Sequence, residues 1–503
     1  MKPGEVGLSK KQNSAYVWLG VFVLILAYIV TKEVSLPTGV LVGAAIIGGL
    51  FLLFKGISKP EIVTYVLVAY IPFSKILPGD FGGLAVAFNM TNLLMFFIIL
   101  VWLSGRYSAG EPLWCPSPLN LPIILFIMLG ALAVMRGISY GPGYLSYTLT
   151  GFKRWMTPIV LYFLVLNTVK DKENIRNVVI TMMIVCTIVG LMATWDYMNI
   201  GEVSDLEKAR IGGISDHSNS LAAFFNYYMF LPFGFFLLNM HRPRYWLLLI
   251  PFLICFRGIM VTFSRGGYLA FALGLYAITF FRSKILFVLL LLATLVIYAN
   301  PILLPAGIRY RMGQTYEKHT YGDEYSTENL EASSKNRVEV WKGALEMIAE
   351  HPFFGVGYGL FLPMIRFYWS GGTPIDAHNT YLIIGAEMGL PTLFIFLLII
   401  AMAIWYSRKL YLISSDHFSR AVALGFLGGL FGLLMSNMFG SRLDSQEISG
   451  YFWILCALIM RLLMIEKKKP LEYANTEESQ KNAQVIHRQK KLDSIWFEED
   501  QKP

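Results

Sequence analysis

Three arginines carry the first chemical signal in this chain of 503 residues. Arg210 lies in ARIGGISDHSNSLAAFF, just before an apolar run, and Arg265 lies in TFSRGGYLAF, at a tight turn between two apolar runs. Arg337 lies in KNRVEVW, where a helix is expected to open. A helix N-terminus carries unpaired N–H groups and a partial positive charge, so arginine there is a poor structural choice but a good anion site. One such residue is explained by snorkelling to lipid headgroups or by a neighbouring acid. Three on the same membrane face point to a bound anion.

Histidine supplies the second signal, and elimination narrows it. Of the seven, His241, His417 and His487 fall on the cytoplasmic side of the topology derived below, and His319 lies in a polar, acid-rich stretch. His351 precedes Pro352 and reads as a helix terminator. His217 stands near Arg210 and is a candidate binding residue. His378 stands at the mouth of an apolar run beside Asp376, whose carboxylate could orient the ring. The four cysteines are Cys115, Cys186, Cys255 and Cys456, none near another in sequence. They indicate neither a disulfide framework nor a zinc site, and no metal or cofactor is expected.

The elements that must position these residues are membrane spans. Hydrophobic residues make up 55% of the chain and charged residues only 15%, against about 25% charged in soluble domains. Apolar runs recur at about 16–30, 37–54, 61–77, 86–104, 119–135, 156–169, 177–198, 218–240, 246–263, 266–281, 285–300, 379–406, 421–438 and 447–464. The expected fold class is an all-α polytopic membrane protein with about 14 (12–14) transmembrane helices. It divides into helices over 1–300, a large, partly helical loop over 301–378, further helices over 379–465 and a charged tail over 466–503, expected to be disordered. The net charge of +9 does not indicate nucleic acid, because the basic residues cluster between spans.

Those clusters set the orientation. Lys10, Lys11, Lys55, Lys59, Lys170, Lys172, Arg242, Arg244, Arg408 and Lys409 fall in connections on one side, as an N-terminus in the cytoplasm requires. The 301–378 loop is then extracytoplasmic, and Arg210, Arg265 and Arg337 oppose the usual bias on the same face. Within the loop, Asn336-Arg337-Val338-Glu339 has capping-box spacing. Trp341, Ala344, Leu345 and Ile348 give the following helix an apolar face. Ser218 is placed to cap the run beginning at Asn219. Gly355-Val356-Gly357-Tyr358-Gly359 fits a sharp return, or more weakly a phosphate cradle, since no Lys-Ser/Thr follows it.

The ordered set of Arg210 to Ala222 (R-x-G-G…N-x-L-A), Ser264-Arg265-Gly266, Arg337…Trp341, His351-Pro352…Gly355-Val356-Gly357, His378-Asn379-x-x-Leu382 and Glu387-x-Gly389 resembles the O-antigen ligase and O-antigen polymerase family. No single motif is specific; the order is. Where the family pattern has Asn-Pro-Asn, this chain has Asp216-His217-Ser218-Asn219, so only Asn219 carries over. The resemblance implies a GT-C-like glycosyltransferase of the bacterial inner membrane, working on the periplasmic face. The donor would be a glycan on undecaprenyl pyrophosphate, and the acceptor a glycan or lipid A-core hydroxyl. Arg210, Arg265 and Arg337 would bind the pyrophosphate and stabilise the leaving group, and His378 would be the base of a metal-independent, inverting transfer. Asn219, His217, Trp341, Asn379 and Asp376 would complete the binding site. The lipid bilayer and a chain-length regulator are the implied partners.

A transporter or flippase for polysaccharide or lipid-linked sugar is the alternative from a different class. It is disfavoured by the lack of an internal repeat and by few charges inside the spans, Arg257 being an exception. The topology is directly testable. A reporter active only outside the cytoplasm should be active when fused near Thr327 and inactive when fused after Lys469; the reverse pattern would invert the molecule.

Overall fold

The computed structural model describes residues 59–76, 90–141 (without 109, 111 and 113), 143–201, 209–313 (without 216), 332–371, 374–440 and 443–467. Among them every regular element is a helix. Hydrocarbon offers backbone N–H and C=O groups no partner, and a helix satisfies them within itself. In order these are α1 Pro60–Tyr70, α2 Met90–Ser108, α3 Asn120–Ile138, α4 Gly143–Thr168, α5 Lys172–Met198, α6 Ser218–Tyr228, α7 Phe230–Leu238, α8 Leu249–Thr262 and α9 Arg265–Arg282. They continue with α10 Lys284–Ala299, α11 Ala306–Gly313, α12 Ala332–Glu350, α13 Phe361–Ile365, α14 Thr380–Met388, α15 Leu390–Ile413, α16 His417–Ser436 and α17 Gln446–Lys467.

Nine helical segments among the described residues are long and apolar enough to cross a membrane, α6 and α7 together forming one of them. The sequence leads one to expect about 14. Two of those, at 16–30 and 37–54, lie outside the described residues, as does the tail beyond 467. The runs at 61–77, 266–281 and 285–300 do fold as helices, α1, α9 and α10, but these are shorter or more polar than a full crossing.

The innermost helices are α6, α7, α16 and α17, whose side chains are buried along most of their length. Backbones approach closely where α16 passes α6 and α7. A methyl group at Gly429 would fall 2.0 Å from the Tyr227 carbonyl oxygen, and one at Gly425 would fall 2.6 Å from that of Phe230. Small residues at such crossings replace the hydrophobic drive that lipid removes with close van der Waals contact.

A separate packed cluster sets Val340, Ala344 and Met347 of α12 against Leu360, Phe361, Ile365, Trp369 and Ala386. Two local expectations are corrected here. α12 begins at Ala332, so Asn336 lies inside the helix and exposed rather than capping it, and Glu339 accepts from Trp369 Nε1 at 3.1 Å. His217, not Ser218, occupies the N-cap of α6, without a side-chain bond. The apolar run at 379–406 is also not one span. It breaks at Gly389 (φ +84), where Leu390 N–H donates to the Pro352 carbonyl at 2.7 Å and Pro391 starts the next helix. A methyl group at Gly389 would lie 2.2 Å from the Phe353 carbonyl oxygen. Gly389→Ala should therefore cost on the order of 1–3 kcal/mol or more, read as a lowered Tm in detergent. Gly105→Ala, which meets nothing within 4 Å, should leave Tm unchanged or slightly raised.

Candidate active site

The site is built around the turn between α8 and α9. Phe263 takes a left-handed conformation (φ 49) at the end of α8, and Ser264 caps α9, its Oγ accepting from Gly267 N–H at 3.1 Å. The TFSRGG spelling explains this geometry. Ser264 is a good N-cap, and the two glycines admit close neighbours: a methyl group at Gly266 would meet Phe439 at 2.9 Å, and one at Gly267 would meet Ala222 at 2.8 Å. Arg265 is then the first residue of α9.

Two further arginines are tied to the same turn. Arg210 Nε donates to the Thr262 carbonyl at 3.1 Å, and its Nη2 donates to Asn219 Oδ1, in the first turn of α6, at 2.8 Å. Arg311, on α11 and buried, donates from Nε to the Phe263 carbonyl at 3.3 Å. These are the carbonyls that a helix end leaves without an intrahelical donor, at the negative end of the helix dipole. Arg337 reaches the same place from α12. Together they line a cavity of about 350 Å³ bounded also by Asn219, Ser264 and Phe439; among the described residues that line it there is no carboxylate. Four guanidiniums and the N-terminus of α9 around one space are chemistry suited to an anion.

The structure thus brings Arg210, Arg265, Arg337 and Asn219 together. Arg337 comes from inside α12 rather than from its start. Arg311 is the residue that sequence reasoning missed; nothing in RYRMG separates it from Arg309, which is exposed.

His378 does not line the cavity but is held beside its wall. Its backbone is left-handed (φ 49), and its Nδ1 lies 3.5 Å from Asp376 Oδ2. On one side the Ala377 carbonyl accepts from Trp341 Nε1 at 2.7 Å, one turn along α12 from Arg337. On the other, Thr380 bonds Asn437 and Gly440, which flank the cavity-lining Phe439. The Trp341 and Phe439 rings lie 6.4 Å apart. Asn379 is buried and caps α14, accepting from Tyr381 and Leu382 N–H. His217 is exposed and not among the lining residues. His351 lies elsewhere, its Nδ1 3.5 Å from Arg136 Nη2.

The Gly355–Gly359 segment is a sharp return, not a phosphate cradle. Val356 and Gly357 N–H donate to the Ala386 and Glu387 carbonyls, and Tyr358 N–H to that of Ala133. Glu387, buried in the nine-residue α14, accepts from Phe361 N–H at 3.0 Å. Burial pushes its carboxyl up to about 7, outweighing the backbone donors of Gly359 and Phe361 that favour the charged form.

A multi-pass membrane protein, helical throughout its described residues and with an arginine-lined cavity, is the class that emerges. Residues 250–397 match the family model described as O-antigen ligase, which supports the O-antigen ligase and polymerase family that the motifs resemble. The match takes in Arg265, Arg311, Arg337, Trp341 and His378 and leaves Arg210 and Asn219 before it. No curated protein matches the chain.

The Glu387 environment predicts a pH dependence. A carboxyl whose folded pKa is about 7 against an ordinary 4.5 binds more protons folded than unfolded between those values. Its contribution is full below the lower value and is lost as pH rises through the upper one. Glu387→Gln, which keeps an acceptor for Phe361 N–H, should flatten that part of the Tm–pH curve. An unchanged slope would mean that the carboxyl titrates normally.

Proposed function

We propose that the chain is a glycosyltransferase of the bacterial inner membrane, moving a glycan from undecaprenyl pyrophosphate to an acceptor hydroxyl on the periplasmic face. The acceptor class is a growing glycan or a lipid A-core. The observation that carries the reading is the convergence of Arg210, Arg265, Arg311 and Arg337, from four separate stretches of the sequence, on one cavity. A pyrophosphate diester has two negative charges and gains a third as it leaves, so guanidiniums fixed in advance favour the departing state over the bound donor.

His378 is the base in this reading. With Nδ1 turned to Asp376, it takes the acceptor's hydroxyl proton at Nε2 as that oxygen attacks the anomeric carbon. The bond from the anomeric carbon to the pyrophosphate oxygen breaks, and its electron pair leaves with the lipid pyrophosphate. One base and one good leaving group suffice, so the configuration inverts and no metal enters the step. Trp341, Asn379 and Asp376 position His378. His217, at the mouth of α6, contacts the acceptor or donor glycan.

Arg337→Lys should lose most transfer activity although it keeps the charge, because lysine lacks the planar fork that engages two phosphate oxygens. Transfer equal to the parent by both Arg337→Lys and Arg337→Ala would remove the pyrophosphate assignment. His378→Gln should insert, match the parent's heat stability and bind donor, yet transfer at well under a hundredth of the parent rate, since a general base contributes roughly 10²–10⁴-fold. A rate within a few-fold of the parent would exclude His378 as the base and make His217 the next candidate.

A further inference from the structure

A second cavity, of about 400 Å³, is also bordered by α11 and the α8–α9 turn. Its walls are mostly apolar and aromatic: Tyr197 at the end of α5, Met260 and Phe263 of α8 and its turn, Tyr268 of α9, and Ile308 and Tyr310 of α11. One cation enters it. Arg257, exposed within the membrane-crossing stretch of α8, sets its guanidinium 5.2 Å from the centre of the Tyr197 ring.

A charge on a lipid-facing helix is costly without an anion, and for that reason marks a binding site unless a protein carboxylate answers it. None of the ion pairs Lys75–Glu447, Lys172–Asp416 and His378–Asp376 involves Arg257, whose contact is the Tyr197 ring. Arg257 precedes Thr262, the last residue of α8, by five positions, about 8 Å at 1.5 Å per residue. Tyr197 lies one residue from the end of α5, so the guanidinium is drawn along the ring toward the headgroup level, as a snorkelling arginine is.

We propose that this cavity holds one phosphodiester-headed membrane lipid of the phosphatidylglycerol class. Its phosphate pairs with Arg257 over Tyr197, and the upper part of an acyl chain lies among Met260, Phe263, Ile308 and Tyr310. Charge chooses the occupant. A phosphodiester carries one negative charge and the one guanidinium among the described lining residues answers it, whereas the pyrophosphate of a lipid-linked glycan needs the several cations of the arginine cavity. The site does not depend on the glycosyltransferase reading and stands or falls apart from it.

The test is native mass spectrometry of the purified full chain in detergent, supplied in turn with dioleoyl phosphatidylglycerol, dioleoyl phosphatidylcholine and undecaprenyl phosphate. The expected result is one phosphatidylglycerol retained at least fivefold better than phosphatidylcholine. Arg257→Gln should abolish that preference and Arg257→Lys should keep most of it. Tyr197→Leu, which removes the ring but not the cation, should weaken it severalfold, and it decides the matter if Arg257→Gln cannot be purified. Equal retention by the parent and by Arg257→Gln, or by the parent and Tyr197→Leu in that case, would overturn the site. Arg257-dependent preference for undecaprenyl phosphate over phosphatidylglycerol would overturn the occupant.

Discussion

Like charges do not gather beside a membrane unless something holds them, and here the carbonyls that the end of α8 leaves without a helical donor hold two of the four. The left-handed Phe263 stops the helix and leaves the Thr262 and Phe263 oxygens to accept from Arg210 and Arg311. Each arginine is fixed through Nε, which sets the plane of its guanidinium without neutralising the charge. The next residues start α9, so the positive end of a second helix opens where the negative end of the first has just been covered. One turn therefore supplies anchors for two cations and an anion-seeking terminus of its own.

The remaining parts are brought to that turn by packing. α12 carries Arg337 to the cavity and, one turn on, Trp341 to the backbone at Ala377. The same helix thus places one of the cavity's arginines and braces the segment bearing His378. Thr380 and Asn437 fix the other end of that segment against the close of α16. His378 sits between two braces, which accounts for a left-handed histidine that no local preference would produce.

Much of this was legible in the sequence, for identifiable reasons. Spans announce themselves because lipid demands long apolar runs, and Arg210, Arg265 and Arg337 stood out because they oppose the charge bias of their face. Arg311 did not, since RYRMG offers two arginines and only the turn of a short helix decides which is buried. The break at Gly389 was hidden by continuous hydropathy on both sides of it; the Phe353 carbonyl that forbids a side chain there comes from residues far earlier in the chain. Asn336 read as a cap because its spacing to Glu339 was right, but the helix gained a turn upstream and Glu339 found Trp369 instead.

The two tight glycine contacts have a consequence for how this loop can change in length. Gly389 lies against the Phe353 carbonyl, and a side chain on Gly355 would meet the Glu387 backbone at 2.3 Å. Residues 353–355 and 387–389 are thus clasped together, and the chain between them is an excursion whose two ends cannot slip. Residues added or removed at its exposed tip, around Ser370 and Gly371, would change the reach of the excursion without altering how residues 352–355 meet 387–390. Length is negotiable there, and register is not. The loop could be resized to suit different large ligands while the arginines below it keep their places.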